Sequence, residues 1–355
     1  MTMIQLICIF FFLINMFIRS LFGSDLNHIM SSPIQMLMNT NSRPSLINSV
    51  DFHPNSHLFC ATFTHNNSVV IYQLDETNVA TIFQVLKGPS TKLSYPQHAL
   101  FSKDGRSLIV SNWVNQTFSV YRLGAKGVYQ DLPTAIFPFL LPNDNFRPHG
   151  MAFSPDGKYL AVSFGASKKH PRAVGLYKII DLATGAPRIK LLSFLQGDEI
   201  HMGIPKGITF SPDGTCLLVT LSETNKVSIY SIDREKECIL CPPRQILVGN
   251  STLISRPEDI KFTADGDYFA ITNSSQNTIT FYKYDINSNV ILDESPSYII
   301  ENPEAQLLFP HGLAFSSDGK YLSITQFGSV VFDENDKLIS FGKKRNESVT
   351  IHRMK

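Results

Sequence analysis

Apolar and polar residues alternate along most of this chain in short runs, and the runs return on a regular schedule. In "MAFSPDGKYLAVS" (Met151–Ser163) the alternation up to a phenylalanine predicts one β-strand. The Pro-Asp-Gly step predicts a tight turn, and the "YLAV" run predicts a second strand antiparallel to the first. A third run, such as "KVSIY" or "TITFY", ends near Tyr72, Tyr121, Tyr230 or Tyr282. A fourth precedes the next copy: "TIFQVL", "AIFPFL", "IKLLSFL", "QILVG" or "SYII".

The copies are anchored by Asp-Gly at Asp104, Asp156, Asp213, Asp265 and Asp318, with Asn55 in the degenerate first copy. The intervals are 49, 52, 57, 52 and 53 residues, a period that indicates a propeller or another repeat array. Three residues before each anchor stands Phe52, Phe101, Phe153, Phe210, Phe262 or Phe315. Seven after it stands Thr62, Ser111, Ser163, Thr220, Thr272 or Thr325. A hydroxyl in every copy predicts a structural hydrogen bond, because a catalytic nucleophile is needed only once.

Four antiparallel strands per copy, unable to bury both faces alone, must stack around an axis. The predicted fold is all-β: a single six-bladed β-propeller of four-stranded antiparallel blades over residues 33–355. The last copy ends at its third strand, "SVTIHRMK", so its fourth is expected from the N-terminal strand "PIQMLMN" (Pro33–Asn39), which would remove two exposed edges.

Two stretches carry a resemblance. "AITNSSQNTITFYKYD" (Ala270–Asp285) resembles the YVTN-type repeat, and "PHGMAFSPDGKYLAVS" (Pro148–Ser163) resembles the strand pair shared by YVTN, lactonase-type and WD40-like propellers. The resemblance spans roughly 33–355 and implies the propeller fold; for its lactonase-type branch it implies a lactone hydrolase. Lactonase-type propellers usually have seven blades, whereas six are counted here. The Trp-Asp slot of WD40 blades reads Ile-Tyr, Val-Tyr or Phe-Tyr, and the only tryptophan is Trp113.

Composition refines this picture in three places. Thirty-one basic residues balance 30 acidic ones, which gives no basic face that would announce nucleic acid as a partner. The apolar run Ile4–Ile18 is short for a spanning helix and suits an export signal or membrane anchor within residues 1–29. Localisation is accordingly expected to be secreted, periplasmic or N-terminally anchored, or cytoplasmic if translation starts near Met30. The five cysteines form no framework: Cys60 and Cys216 fall in strands, and Cys238 and Cys241 make a lone CxxC, open to a local disulfide or two thiols.

Candidate chemistry sits at the start of each first strand. Seven residues before the anchors stand Asn48, Gln97, His149, Lys206, Glu258 and His311, all polar, read as a ligand-binding ring at the mouth of the channel. The repeat is lengthened between second and third strands only in blades 3 and 6, the two that carry Pro-His-Gly. Those loops share the ring's face, a usual place for function. The loop "QGDEIHMGIPKG" adds Asp198, Glu199 and His201.

Two functions follow as expectations. The first is a binding scaffold for a protein, peptide or small polar ligand at this face. The alternative is a lactonase-like hydrolase with His149, His311, Glu258 and His201 as catalytic candidates. No metal-ligand set is assigned and no cofactor is evident, a divalent metal belonging only to the hydrolase reading. Membrane contact is expected only through the N-terminal segment, and the chain is expected to be a monomer.

Overall fold

The computed structural model describes residues 33, 35–38, 45–142, 145–165, 170–182, 186–197, 203–301, 305–328, 330–332, 338–341 and 347–354. The N-terminal apolar run and His201 lie outside them, as do Asp198 and Glu199. No helix among the described residues is long and apolar enough to cross a membrane.

The innermost strands are Ile47–Phe52, Pro96–Phe101, Pro148–Phe153, Pro205–Phe210, Pro257–Phe262 and Pro310–Phe315. Each packs against the next, and the sixth packs against the first, closing a ring of six blades. Outward from each runs an antiparallel series; in blade 3 it continues through Tyr159–Phe164, Ala173–Ile180 and Arg188–Gln196. In blades 4 and 5 the outer edge is split into two short strands, such as Cys238–Ile239 and Gln245–Leu247. The fold is therefore the six-bladed all-β propeller that the period predicts.

In blade 6 the outermost position is held by Gln35–Met38, antiparallel to Ser348–Arg353 with Gln35 opposite Ile351. The Gln35 side-chain amide also bonds both backbone groups of Ala80 in blade 1. Within the long blade 6 loop, Val330–Phe332 and Leu338–Phe341 pair as a small hairpin.

The core divides into six apolar clusters, one in each gap between blades. Phe52, Phe101 and Phe210 are buried in these gaps, while Phe153, Phe262 and Phe315 are half-buried. Burying such a side chain contributes roughly 1.5–3 kcal/mol. Cys60 and Cys216 belong to these clusters, and they and Cys238 of the CxxC are free thiols.

One backbone irregularity recurs in every blade and prepares the mouth. The register between first and second strands shifts just after the first strand begins: between Pro148 and Met151 in blade 3, and between Pro310 and Leu313 in blade 6. A bulge of this kind re-aims the side chain beside it, and here that side chain is the ring residue. The shift frees one backbone N–H per blade, and the repeated hydroxyl takes it. Thr62, Ser111, Ser163, Thr220, Thr272 and Thr325 accept from the N–H of Ser49, His98, Gly150, Gly207, Asp259 and Gly312 at 2.7–3.2 Å.

Several of these hydroxyls also donate to the ring residue's carbonyl in the next blade, as from Thr272 to His311 at 2.8 Å and from Thr62 to Gln97 at 3.2 Å. The blades approach so closely here that a Cβ added at Gly150 would lie 2.5 Å from the Lys206 carbonyl oxygen. The ring positions are thus fixed by backbone and by hydroxyls, leaving their side chains free to differ.

Candidate active site at the channel mouth

A cavity of ≈190 Å³ opens at the mouth, and all six ring residues line it. The remaining lining residues come from two other repeat positions. Nine residues before the anchor stand Leu46, Tyr95, Arg256 and Phe309, and nine after it stand Thr64, Trp113 and Phe327. The four upstream residues all adopt left-handed backbone, with φ between +49° and +56°. That conformation is uncommon for side chains of this size, and it turns the chain over the rim before the first strand begins.

The sequence reading found the ring and missed these two rows. The signal was present: the same alignment, read two residues upstream of the ring and two beyond the hydroxyls, picks out Arg256 and the aromatic wall.

The ring does not splay. Glu258 Oε2 lies 3.5 Å from His149 Nε2, 3.5 Å from His311 Nε2 and 3.4 Å from Lys206 Nζ. Arg256 Nε stands 3.5 Å from the other carboxylate oxygen. Although blades 3 and 6 face one another across the channel, the two imidazole centroids are only 5.0 Å apart. His311 is held on two sides. Its ring stacks on Phe327 at 4.2 Å, and its Nδ1 is 2.8 Å from the Asn48 carbonyl oxygen. Asn48 in turn donates from its side chain to Thr64 Oγ1.

Electrostatics sort these groups by charge. Burial, reinforced by Lys206 and the neighbouring histidines, holds His149 well below the usual histidine range. Burial also lowers His311, and the opposing pull of Glu258 does not reverse it. Both imidazoles are therefore neutral near pH 7. For Glu258, burial alone would raise the carboxyl, but Lys206, His311 and Arg256 together bring it below the usual carboxylate range.

The cavity consequently has two unlike sides. Aromatic groups come from blades 2 and 6: Tyr95, Trp113, Phe309 and Phe327. Neutral bases, a carboxylate and two cations come from blades 3 to 6. Arg256 bridges the halves, with its guanidinium 5.5 Å from the centre of the Phe309 ring.

A second void of ≈10 Å³ lies inward of the ring, bounded in part by His98, His149, Glu258 and His311. That is about one probe sphere, room for a single small occupant. His98 Nε2 is buried there and has no hydrogen-bond partner among the described residues.

Comparison with known proteins points one way. Residues 37–166 match the family described as lactonase, 7-bladed beta-propeller. A 6-phosphogluconolactonase of Blochmanniella pennsylvanica (strain BPEN) is 21% identical over 280 residues, covering 67% of this chain and 80% of that protein. Among solved structures, the periplasmic gluconolactonase of Pseudomonas aeruginosa superposes with a TM-score of 0.57 at 15% identity, covering 86% of this chain and 87% of that one. A luciferin-regenerating enzyme superposes at 0.62 and 14% identity, covering 90% and 95%. The two structures are alike in fold alone. Together with the sequence match over its first blades, they make this chain similar to propellers of the lactonase type.

Proposed function

We propose that this protein hydrolyses a small lactone of a sugar acid, one carrying an anionic group. The observation that supports this reading is the convergence of two buried imidazoles, a carboxylate and two basic side chains on one small cavity with an aromatic wall. The reading expected first, a binding scaffold, fits this geometry less well. At ≈190 Å³ the cavity is below the ~300 Å³ at which pockets for drug-sized ligands begin, and too small for a peptide. The names of the similar proteins favour the lactonase alternative as well.

In this mechanism the lactone ring lies against Trp113 and Phe309, which offer apolar faces to its C–H groups. A water beside the His149–Glu258–His311 cluster gives up a proton there and attacks the lactone carbonyl. The oxyanion that forms is stabilised by Lys206 or Arg256, placed in advance in a partly dehydrated site. Collapse breaks the bond to the ring oxygen, which takes a proton and leaves as the hydroxyl of the open acid. Glu258 supplies one negative charge against two positive ones from Lys206 and Arg256, so the site as a whole favours an anionic substrate.

The test is acid release from gluconolactone and 6-phosphogluconolactone, measured above the spontaneous rate for the wild type, His149→Ala and His311→Ala. General acid–base groups contribute about 10²–10⁴-fold, and a loss of that order is expected in each variant. Equal rates in all three proteins would sink the assignment.

A further inference from the structure

We propose that His149, Glu258 and His311 bind a divalent transition-metal ion of the zinc type at the inner end of the mouth cavity. The proposal deepens the lactonase reading, resting on it only for what the ion would do, since binding itself stands on geometry. Zinc held at 2.0–2.1 Å by nitrogen and oxygen in a tetrahedral array puts neighbouring ligand atoms about 3.4 Å apart. Glu258 Oε2 is 3.5 Å from each Nε2, and the three ligand atoms all lie within 4.8 Å of one another. Two edges of the coordination polyhedron are therefore already in place.

The same distance is too long for a good N–H···O hydrogen bond, and Glu258 Oε2 is buried without any hydrogen bond among the described residues. The tautomer of His311 explains why. A carbonyl oxygen only accepts, so the 2.8 Å contact with the Asn48 carbonyl places the hydrogen on Nδ1. With that hydrogen on Nδ1, Nε2 is the ring atom left to ligate, and it faces Glu258 Oε2 at 3.5 Å. An imidazole that donates its remote N–H to a backbone carbonyl is how metal-binding histidines are usually oriented. The ≈10 Å³ void touching all three residues is of single-ion size. Two imidazoles and one carboxylate suit zinc, manganese or iron better than calcium or magnesium, which prefer oxygen alone.

Lys206 is the competing cation, with Nζ 3.4 Å from the same oxygen. It should weaken the ion's hold, which gives the proposal a signature that simple disruption of the site would not produce.

The experiment strips wild-type protein with EDTA, then measures binding of zinc, manganese, calcium and magnesium by calorimetry and metal content by mass spectrometry. One zinc per chain is expected, bound more tightly than calcium. Glu258→Gln and His311→Asn should each weaken zinc by more than the ~10–100-fold that loss of an outer partner costs. Lys206→Met should tighten it by at least about tenfold, through removal of a nearby like charge. Cobalt added to stripped wild-type protein should give the visible bands of a tetrahedral nitrogen–oxygen site, a readout that needs no variant to fold. Wild-type protein that binds no transition metal, or variants that bind as wild type does, would overturn the proposal. Lactone hydrolysis by metal-free protein that still takes up no ion overturns the metal site and leaves the lactonase reading standing. Tight zinc binding without hydrolysis does the reverse.

Discussion

At the turn end of the propeller one side-chain device is used five times. Asp104, Asp156, Asp213, Asp265 and Asp318 each accept from the hydroxyl two residues before and from the backbone N–H two residues after, at 2.5–3.1 Å. The glycine that follows each has φ between +69° and +80°, where a side chain would be strained. At the mouth the backbone is just as repetitive, with its bulge and its hydroxyl, yet six equivalent positions hold five residue types. Repeated backbone with repeated side chains marks a packing solution. Repeated backbone with divergent side chains marks the place where packing does not dictate the side chain, and that is where the proposed chemistry lies.

The contrast is broken most directly by making the mouth more repetitive. Lys206→Gln, which copies blade 2's Gln97, should lower kcat/KM by about 10²–10³, the usual cost of losing one oxyanion donor. Steady-state kinetics on a sugar-acid lactone, with a cooperative melt as control, would check it. If the variant keeps full activity, Lys206 is not the oxyanion donor and its divergence from Gln97 is not functional.

The divergence continues one layer deeper along the innermost strands. Asp51, in blade 1, stands where blade 5 has Lys261 and the other blades have Leu, Ala or Thr. It keeps some accessible surface, but protein crowds it, and this burial outweighs its bond from the Phe101 N–H and pushes its carboxyl up to about 7. An acid whose folded pKa is raised destabilises the fold as pH climbs from about 4 to 7, because the unfolded chain ionises first. Asp51→Asn should therefore stabilise the protein at pH 8 by roughly 1–3 kcal/mol, less than the full shift would give because the group retains some exposure. At pH 4 the gain should vanish. Melting temperatures at the two pH values decide it, and an equal gain at both would rule out titration of Asp51 as the cause.

How far this could be read beforehand follows from the same contrast. The blade count and the six ring positions were legible because the period repeats them, and a repeat can be aligned against itself. The meeting of His149 with His311 was not, because it depends on side-chain reach across the channel, which no spacing along one strand encodes. Arg256 and Phe327 sit on the same schedule but in the turns flanking the strands, where no one residue type runs through the copies and no alternation marks a position. The CxxC and the apolar N-terminus gave least, since a motif that occurs once has no second copy to interpret it.

The hydroxyls joining the two regimes offer a finer test. Thr325 Oγ1 accepts from the Gly312 N–H at 2.7 Å and reaches the Asn48 carbonyl at 3.3 Å, the same carbonyl that orients His311. Thr325→Val leaves a buried N–H without a partner, at a cost of about 1–3 kcal/mol. It should also loosen His311, so that kcat falls along with stability in denaturant unfolding and lactone kinetics. Thr325→Ser, which keeps the oxygen, should restore both; failure of the serine to rescue would mean that packing of the methyl group matters more.

At the turn end the expected effect is smallest and confined to stability. Asp265 bonds only Thr263 Oγ1 and the Asp267 N–H among the described residues, on an exposed turn far along the strand from the cavity. Asp265→Ala should cost about 1 kcal/mol, because water replaces part of what is lost, and kcat/KM should stay within twofold of wild type. Thr325→Val and Asp265→Ala, compared at matched stability, separate the two kinds of repetition. Both disturb a device used in most blades, but only the first lies one hydrogen bond from a ring side chain. Equal losses of activity in the two would mean that the mouth responds to general loosening of the blade and not to the hydroxyls that set its ring.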